Sequence, residues 1–101
     1  MIICNMTMQV GWNIHDDWIQ WMKEAHLPSV METGSFERYQ WSKIKEIDET
    51  DGPSYCIQFF VTDEATLKNY LAYEAGVHDE YLKERWGTDC LIFRTIMEVI
   101  N

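Results

Sequence analysis

Four polar residues in this chain could act together on a small molecule: Asn5, Gln58, Arg94 and His26. Two amides, a guanidinium and an imidazole can take a substrate proton, hold the resulting anion and orient a carbonyl, provided the fold converges them. Asn5 and Gln58 also read more plainly, as cross-strand hydrogen-bonding partners filling an interface. His26 stands just before Pro28, where a helix kink frees carbonyls that want donors. It reads either as a helix-end histidine bonding the backbone or as a proton-transfer group. His78 lies at helical spacing from Leu71 and Leu82, which points it inward as a core histidine.

Other chemistry finds less support. His15-Asp16-Asp17 and His78-Asp79-Glu80 contain metal-ligand types, but neighbours on a helix point about 100° apart and offer no chelating face. No metal site and no cofactor are expected. Cys4, Cys56 and Cys90 fall singly, without CxxC or zinc-type spacing and without an adjacent base. Neither a disulfide framework nor an activated thiol is indicated, and three scattered free thiols suit a reducing compartment such as the cytoplasm.

The elements that must position these groups are legible in the spacing of apolar residues. Residues 2–10 alternate, with Ile2, Cys4, Met6, Met8 and Val10 on one side, which predicts a strand. Ile14, Trp18, Trp21, Met22 and Ala25 then recur at spacings of three and four, the stripe of an amphipathic helix. Asn13 is its expected cap, Pro28 its kink and Gly34 its end. Phe36–Ile47 and Ser54–Val61 read as strands of a hairpin turning at Asp51-Gly52. Asp63 caps a second helix carrying Leu67, Tyr70 and Leu71, broken at Gly76 and resumed through Tyr81, Leu82 and Trp86. The last strand runs from Cys90 to Ile100.

The order βαββαβ predicts a ferredoxin-like α+β fold in one domain, 1–101. It has a four-stranded antiparallel sheet, the first strand central and both helices on one face. Cys4, Met6, Met8, Tyr55, Ile57 and Phe59 should meet the helices. Asn5, Thr7, Gln9, Cys56, Gln58 and Phe60, with Arg94 and Glu98 or their neighbours, should form the face left open. That face is semi-polar and nearly uncharged, which suits cover by a second sheet across a partly wet cleft.

Composition narrows the partners. There are 8 basic and 17 acidic residues, a formal net charge of −9. Nucleic acid and anionic membrane surfaces are disfavoured, because both need clustered Lys and Arg. The start of the chain, MIICNMTMQV, has no basic n-region or long apolar run, so no signal peptide is expected, and no stretch is apolar enough to span a bilayer. Five Trp residues exceed what a thin core readily hides and suggest a partner surface.

The run Trp18-x-x-Trp21-Met22-Lys23-Glu24-x-His26-Leu27-Pro28-x-Val30, then Thr33-Gly34-x-Phe36, resembles the first helix of a domain-of-unknown-function family of small bacterial proteins. Phe93-Arg94-Thr95-x-x-x-Glu98-Val99-Ile100 is similar to that family's last strand. The resemblance spans essentially the whole chain and implies a dimeric α+β barrel, in which two four-stranded sheets face each other. That superfamily includes cofactor-free monooxygenases, haem-degrading enzymes, lactone isomerases and ligand sensors. Its haem degraders use an Asn on the first strand, a Trp ending the third and a His on the second helix. Asn5 and His78 fit, but Val61 stands where the Trp belongs.

The expectation is therefore a homodimer that binds or senses a small anionic or aromatic ligand in a cleft lined by Asn5, Gln58, Phe60 and Arg94. His26 and Asn5 are the candidate catalytic groups, and a small cofactor-free oxygenase or isomerase is the alternative.

Overall fold

Strand β1 (Ile2–Val10) is the hub of the computed structural model, which describes residues 1–101. Strands β2 (Arg38–Lys43), β3 (Ser54–Val61) and β4 (Cys90–Glu98) complete an antiparallel sheet in the order β2-β3-β1-β4. The helices are α1 (His15–Trp21), a π-helical segment Met22–His26, α2 (Leu27–Glu32), α3 (Glu64–Tyr73) and α4 (Ala75–Trp86). No helix is long and apolar enough to cross a membrane.

The helices lie on one face of the sheet, as expected. Cys4, Met6, Met8, Val10, Ile57, Phe59 and Val61 join Trp18, Met22, Leu27, Val30, Leu67, Tyr70, Leu82 and Trp86 in one core. Burying each large apolar side chain contributes about 1.5–3 kcal/mol. Trp18 is fully enclosed, edge-on to Trp41 and against Tyr55. The tryptophan surplus is thus mostly absorbed between helices and sheet. Trp86 is buried, Trp21 and Trp41 are half-buried and only Trp12 is exposed.

Several boundaries differ from those the sequence suggested. Asn13 does not cap α1. Ile14 occupies the cap position without a side-chain bond, while the Asn13 amide reaches Asp89 Oδ2 at 3.4 Å. The kink expected at Pro28 appears upstream as the π segment, where the Leu27 N–H bonds Met22 O, five residues back. Proline has no N–H to offer the Glu24 carbonyl and its ring crowds that oxygen, so the widened turn separates α1 from α2. Gly34, at φ 74°, ends α2 as expected. Asp63 caps α3 by accepting from the Thr66 N–H at 2.8 Å. The α3–α4 break falls at Glu74, at φ −115°, and Gly76 lies inside α4. β2 and β4 are shorter than expected.

The β2–β3 connection is not a two-residue turn but the loop 44–53, which folds back onto the end of β1. Val10 N–H donates to Pro53 O at 2.9 Å. A Cβ on Gly52, at φ 142°, would lie 1.9 Å from the Val10 carbonyl oxygen. Gly52→Ala should therefore cost roughly 2–4 kcal/mol through clash and backbone strain. Urea unfolding measures this, and a loss under about 0.5 kcal/mol would contradict the packing of this loop.

Candidate functional site

Cross-strand partners share a face, so the ladder fixes what the helices leave open. One row is Gln40, Gln58, Asn5 and Thr95; a second is Arg38, Phe60, Ile3 and Met97; a third is Ser42, Cys56, Thr7 and Phe93. Asn5, Gln58 and Phe60 do come together there. Phe60 is shielded by the Arg38 guanidinium, 3.7 Å from its ring centroid. Asn5 is only 6% exposed despite facing away from the helices, because neighbouring strands crowd it. Its amide donates to Thr7 Oγ1 at 3.0 Å, and its Oδ1 is buried without a partner.

Arg94 is not in that group. It pairs with Met6 and so faces the helices, where its Nη2 donates to Asp79 Oδ1 at 2.7 Å. Glu98 pairs with Ile2 and faces the same way. Thr95 takes the place that Arg94 was expected to fill. The ion pair is half-exposed, and such pairs contribute about 0–1 kcal/mol. Burial pushes the Cys4 thiol up, with Arg94 working against that shift.

His26 is likewise on the helix side, and there it meets a group that sequence spacing does not reveal. The π segment and α2 lie against α4 around a cavity of about 450 Å³ lined by Trp21, Ala25, His26, Ser29, His78, Tyr81, Glu84 and Arg85. His26 and His78 form its buried wall, with ring centroids 5.9 Å apart and planes at 85°. Trp21 stacks on His26 at 5.3 Å, and Tyr70 stacks on His78 at 6.3 Å. Burial, with the nearby His78 adding to it, pulls His26 down to about pKa 4, so at neutral pH it is an uncharged donor and acceptor. His78 was expected to be an inward histidine, and it is buried. Its Nδ1 meets the Glu74 carbonyl at 3.0 Å and its Nε2 meets Ser29 Oγ at 3.1 Å. The sequence signal for this site was Pro28 itself, since a widened helical turn often accompanies function. Ser29 was missed because a lone serine carries no spacing signal.

The remaining polar groups separate. His15 bonds Asp16 and, through Nε2 at 2.7 Å, the Tyr55 hydroxyl. Asn5 and His78 lie on opposite sides of the sheet, so the haem-degrading arrangement is not assembled. Cys4, Cys56 and Cys90 are free, and the first two point to opposite faces. Burial raises Cys90 to about pKa 11. Thiol titration of unreduced, denatured protein should count three. In the native state Cys4 and Cys90 should react at least about tenfold more slowly than when denatured, since thiolate is the reactive form. A denatured count of one would contradict the free-thiol assignment.

Comparison with solved structures supports the fold at low identity. The chain is similar to an ethyl tert-butyl ether D (EthD) family protein from Bacillus halodurans, at TM-score 0.73 and 13% identity, covering 99% of this chain and 100% of that one. It is similar to a dimeric ferredoxin-like protein from an uncultured marine organism, at TM-score 0.72, 12% identity and coverage of 99% and 95%. A proposed antibiotic biosynthesis monooxygenase from Deinococcus radiodurans aligns at TM-score 0.67, 16% identity and coverage of 100% and 94%. No curated protein matches. Residues 1–100 match the model of a domain of unknown function, DUF4286, and the chain belongs to that family.

Proposed function

We propose that this chain is a small-molecule binding protein, homodimeric through its open sheet face, that takes its ligand in the cavity between the π segment and α4. The observation that carries the reading is the pair of buried histidines on the wall of that cavity. Buried imidazoles at a concave surface, beneath a widened helical turn and beside an indole, make a site with both shape and polarity. Trp21 and Tyr81 favour a flat ligand, and Arg85, its guanidinium 4.1 Å over the Trp86 ring and with Glu84 beside it in the lining, offers a cation for an anionic group. The aromatic or anionic ligand expected from the sequence is kept, with Arg85 in the role given to Arg94.

Dimerisation is supported by the open face. Phe93 is 68% and Leu91 48% exposed, both on that face of the sheet. A related fold is described as dimeric. A specific contact there should bury more than roughly 1,000 Å² in total. The free thiols and acidic surface fit a reducing, cytoplasmic setting.

A second reading places the ligand between the two sheets, at Asn5, Gln58 and Phe60. The unpartnered Asn5 Oδ1 favours it, since a buried acceptor wants a donor from a ligand or a second copy.

Ala25→Trp separates the two. Ala25 is exposed and lines the cavity, so an indole there should fill the space without disturbing the core. Planar aromatic carboxylates should raise the melting temperature of the parent and leave this variant unmoved. Equal stabilisation of both proteins would move the site elsewhere.

A further inference from the structure

The hydrogen-bond order at His78 has a chemical consequence. A carbonyl oxygen only accepts, so the 3.0 Å contact with Glu74 O requires the proton of the neutral ring to sit on Nδ1. Nε2 then holds a bare lone pair, and the 3.1 Å contact with Ser29 Oγ requires the hydroxyl to be the donor. A serine hydroxyl aimed at the free nitrogen of an imidazole, whose other nitrogen is held by an acceptor, is the arrangement of nucleophile, base and orienting group. The base is fixed in place. His78 is 6% exposed, stacked on Tyr70 and edge-on to His26. The nucleophile is not enclosed, because Ser29 is exposed and lines the same cavity of about 450 Å³.

From this geometry we infer that Ser29 is a nucleophile activated by His78, and that the cavity accepts small carboxylic esters or thioesters as acyl donors. This rests on the proposed ligand site. Ser29 Oγ attacks the acyl carbon while its proton passes to His78 Nε2. The Oγ–C bond forms and the carbonyl electrons move to oxygen, giving a tetrahedral oxyanion inside the cavity that Arg85 and Glu84 line. When the carbonyl reforms, the bond to the alkoxide or thiolate breaks and His78 returns the proton to that leaving group. Water, deprotonated by the same Nε2, then attacks the acyl-serine; the C–Oγ bond breaks, Oγ takes the proton back from Nε2, and a carboxylic acid leaves. No oxidant, metal or further reactant is needed. His26, kept neutral by its burial, adds no positive charge that would oppose protonation of Nε2.

The test uses p-nitrophenyl acetate and a fluorophosphonate probe on the whole protein, with intact-mass and peptide mapping. The expected result is one adduct on Ser29, absent in Ser29→Ala and retained in Ser42→Ala, whose serine lies on the open sheet face. His78→Gln should label at least about 100-fold more slowly, the lower end of what a general base supplies. Because replacing the buried His78 puts the fold at risk, the pH profile of the parent is a second measure. Labelling should rise with pH and then level off, whereas an unactivated serine, reactive only through its alkoxide, keeps rising. No adduct on Ser29, or labelling that is indifferent to His78→Gln and rises with pH without levelling off, would overturn the inference. Ligand stabilisation measured on Ser29→Ala keeps the two readings apart. Binding that persists without labelling of the parent removes only the nucleophile, whereas loss of all binding by the parent removes the site.

Discussion

Between pH 7 and pH 4 the folded chain is expected to lose about 3 kcal/mol of stability through one side chain, His26. Its folded pKa is about 4 against an ordinary 6.5, because burial, and then the neighbouring His78, penalise the charged ring. The unfolded chain therefore binds the proton more readily than the folded one throughout this window. Stability is full above pH 6.5, falls as the pH drops towards 4, and stops falling from this cause below that. The groups packed around the ring bear out the sign. Trp21 stacks on it, His78 lies edge-on, and only Asp79 favours the charge. His26→Gln should flatten the profile, so the difference between parent and variant in urea unfolding at each pH isolates the effect from the carboxylates. Parallel profiles would mean that His26 is solvated.

Phe93→Asp is expected to turn a dimer into a monomer at micromolar concentration. Phe93 is exposed within the chain, so an aspartate there should leave the fold intact. In a sheet-to-sheet dimer the carboxylate would be trapped against Thr7 and Cys56, its cross-strand row, without a cation in that row. A buried unpaired charge costs several kcal/mol, enough to weaken association by about 100-fold or more. Sedimentation of the parent should give twice the 12.0 kDa chain mass, and the variant the chain mass itself. A parent that sediments as a monomer, or a variant that dimerises as well, would leave the open face without its proposed partner.

Much of this architecture was legible in residue spacing. Alternation along β1 and β3 assigned Cys4, Met6 and Ile57 to the helix side and Asn5 and Gln58 to the other, because one set is apolar and the other polar. Along β4 the same logic fails. Ile92 and Ile96 alternate with Phe93 and Met97, so both sides of the strand look half-apolar and a slip of one residue exchanges Arg94 with Thr95. Only the partner across the helix layer decides it. Asp79 draws Arg94 to that side, and a contact between a helix and a strand leaves no mark on local periodicity. The cavity was hidden for a related reason. A π turn shifts the phase of every residue after it, so Ser29 and His26 cannot be placed on a shared face by counting in steps of three and four. Pro28 announced that the helix changes there, but not by how much.

The ligand's place is tested most directly by NMR on protein labelled at histidine side chains and at Asn and Gln amides, titrated with planar aromatic carboxylates from benzoate to indole carboxylate. The expected result is that compounds which bind shift the ring resonances of His26 and His78 while the amides of Asn5 and Gln58 stay in place. Shifts at Asn5 and Gln58 with the two histidines unmoved would contradict it and put the ligand between the sheets.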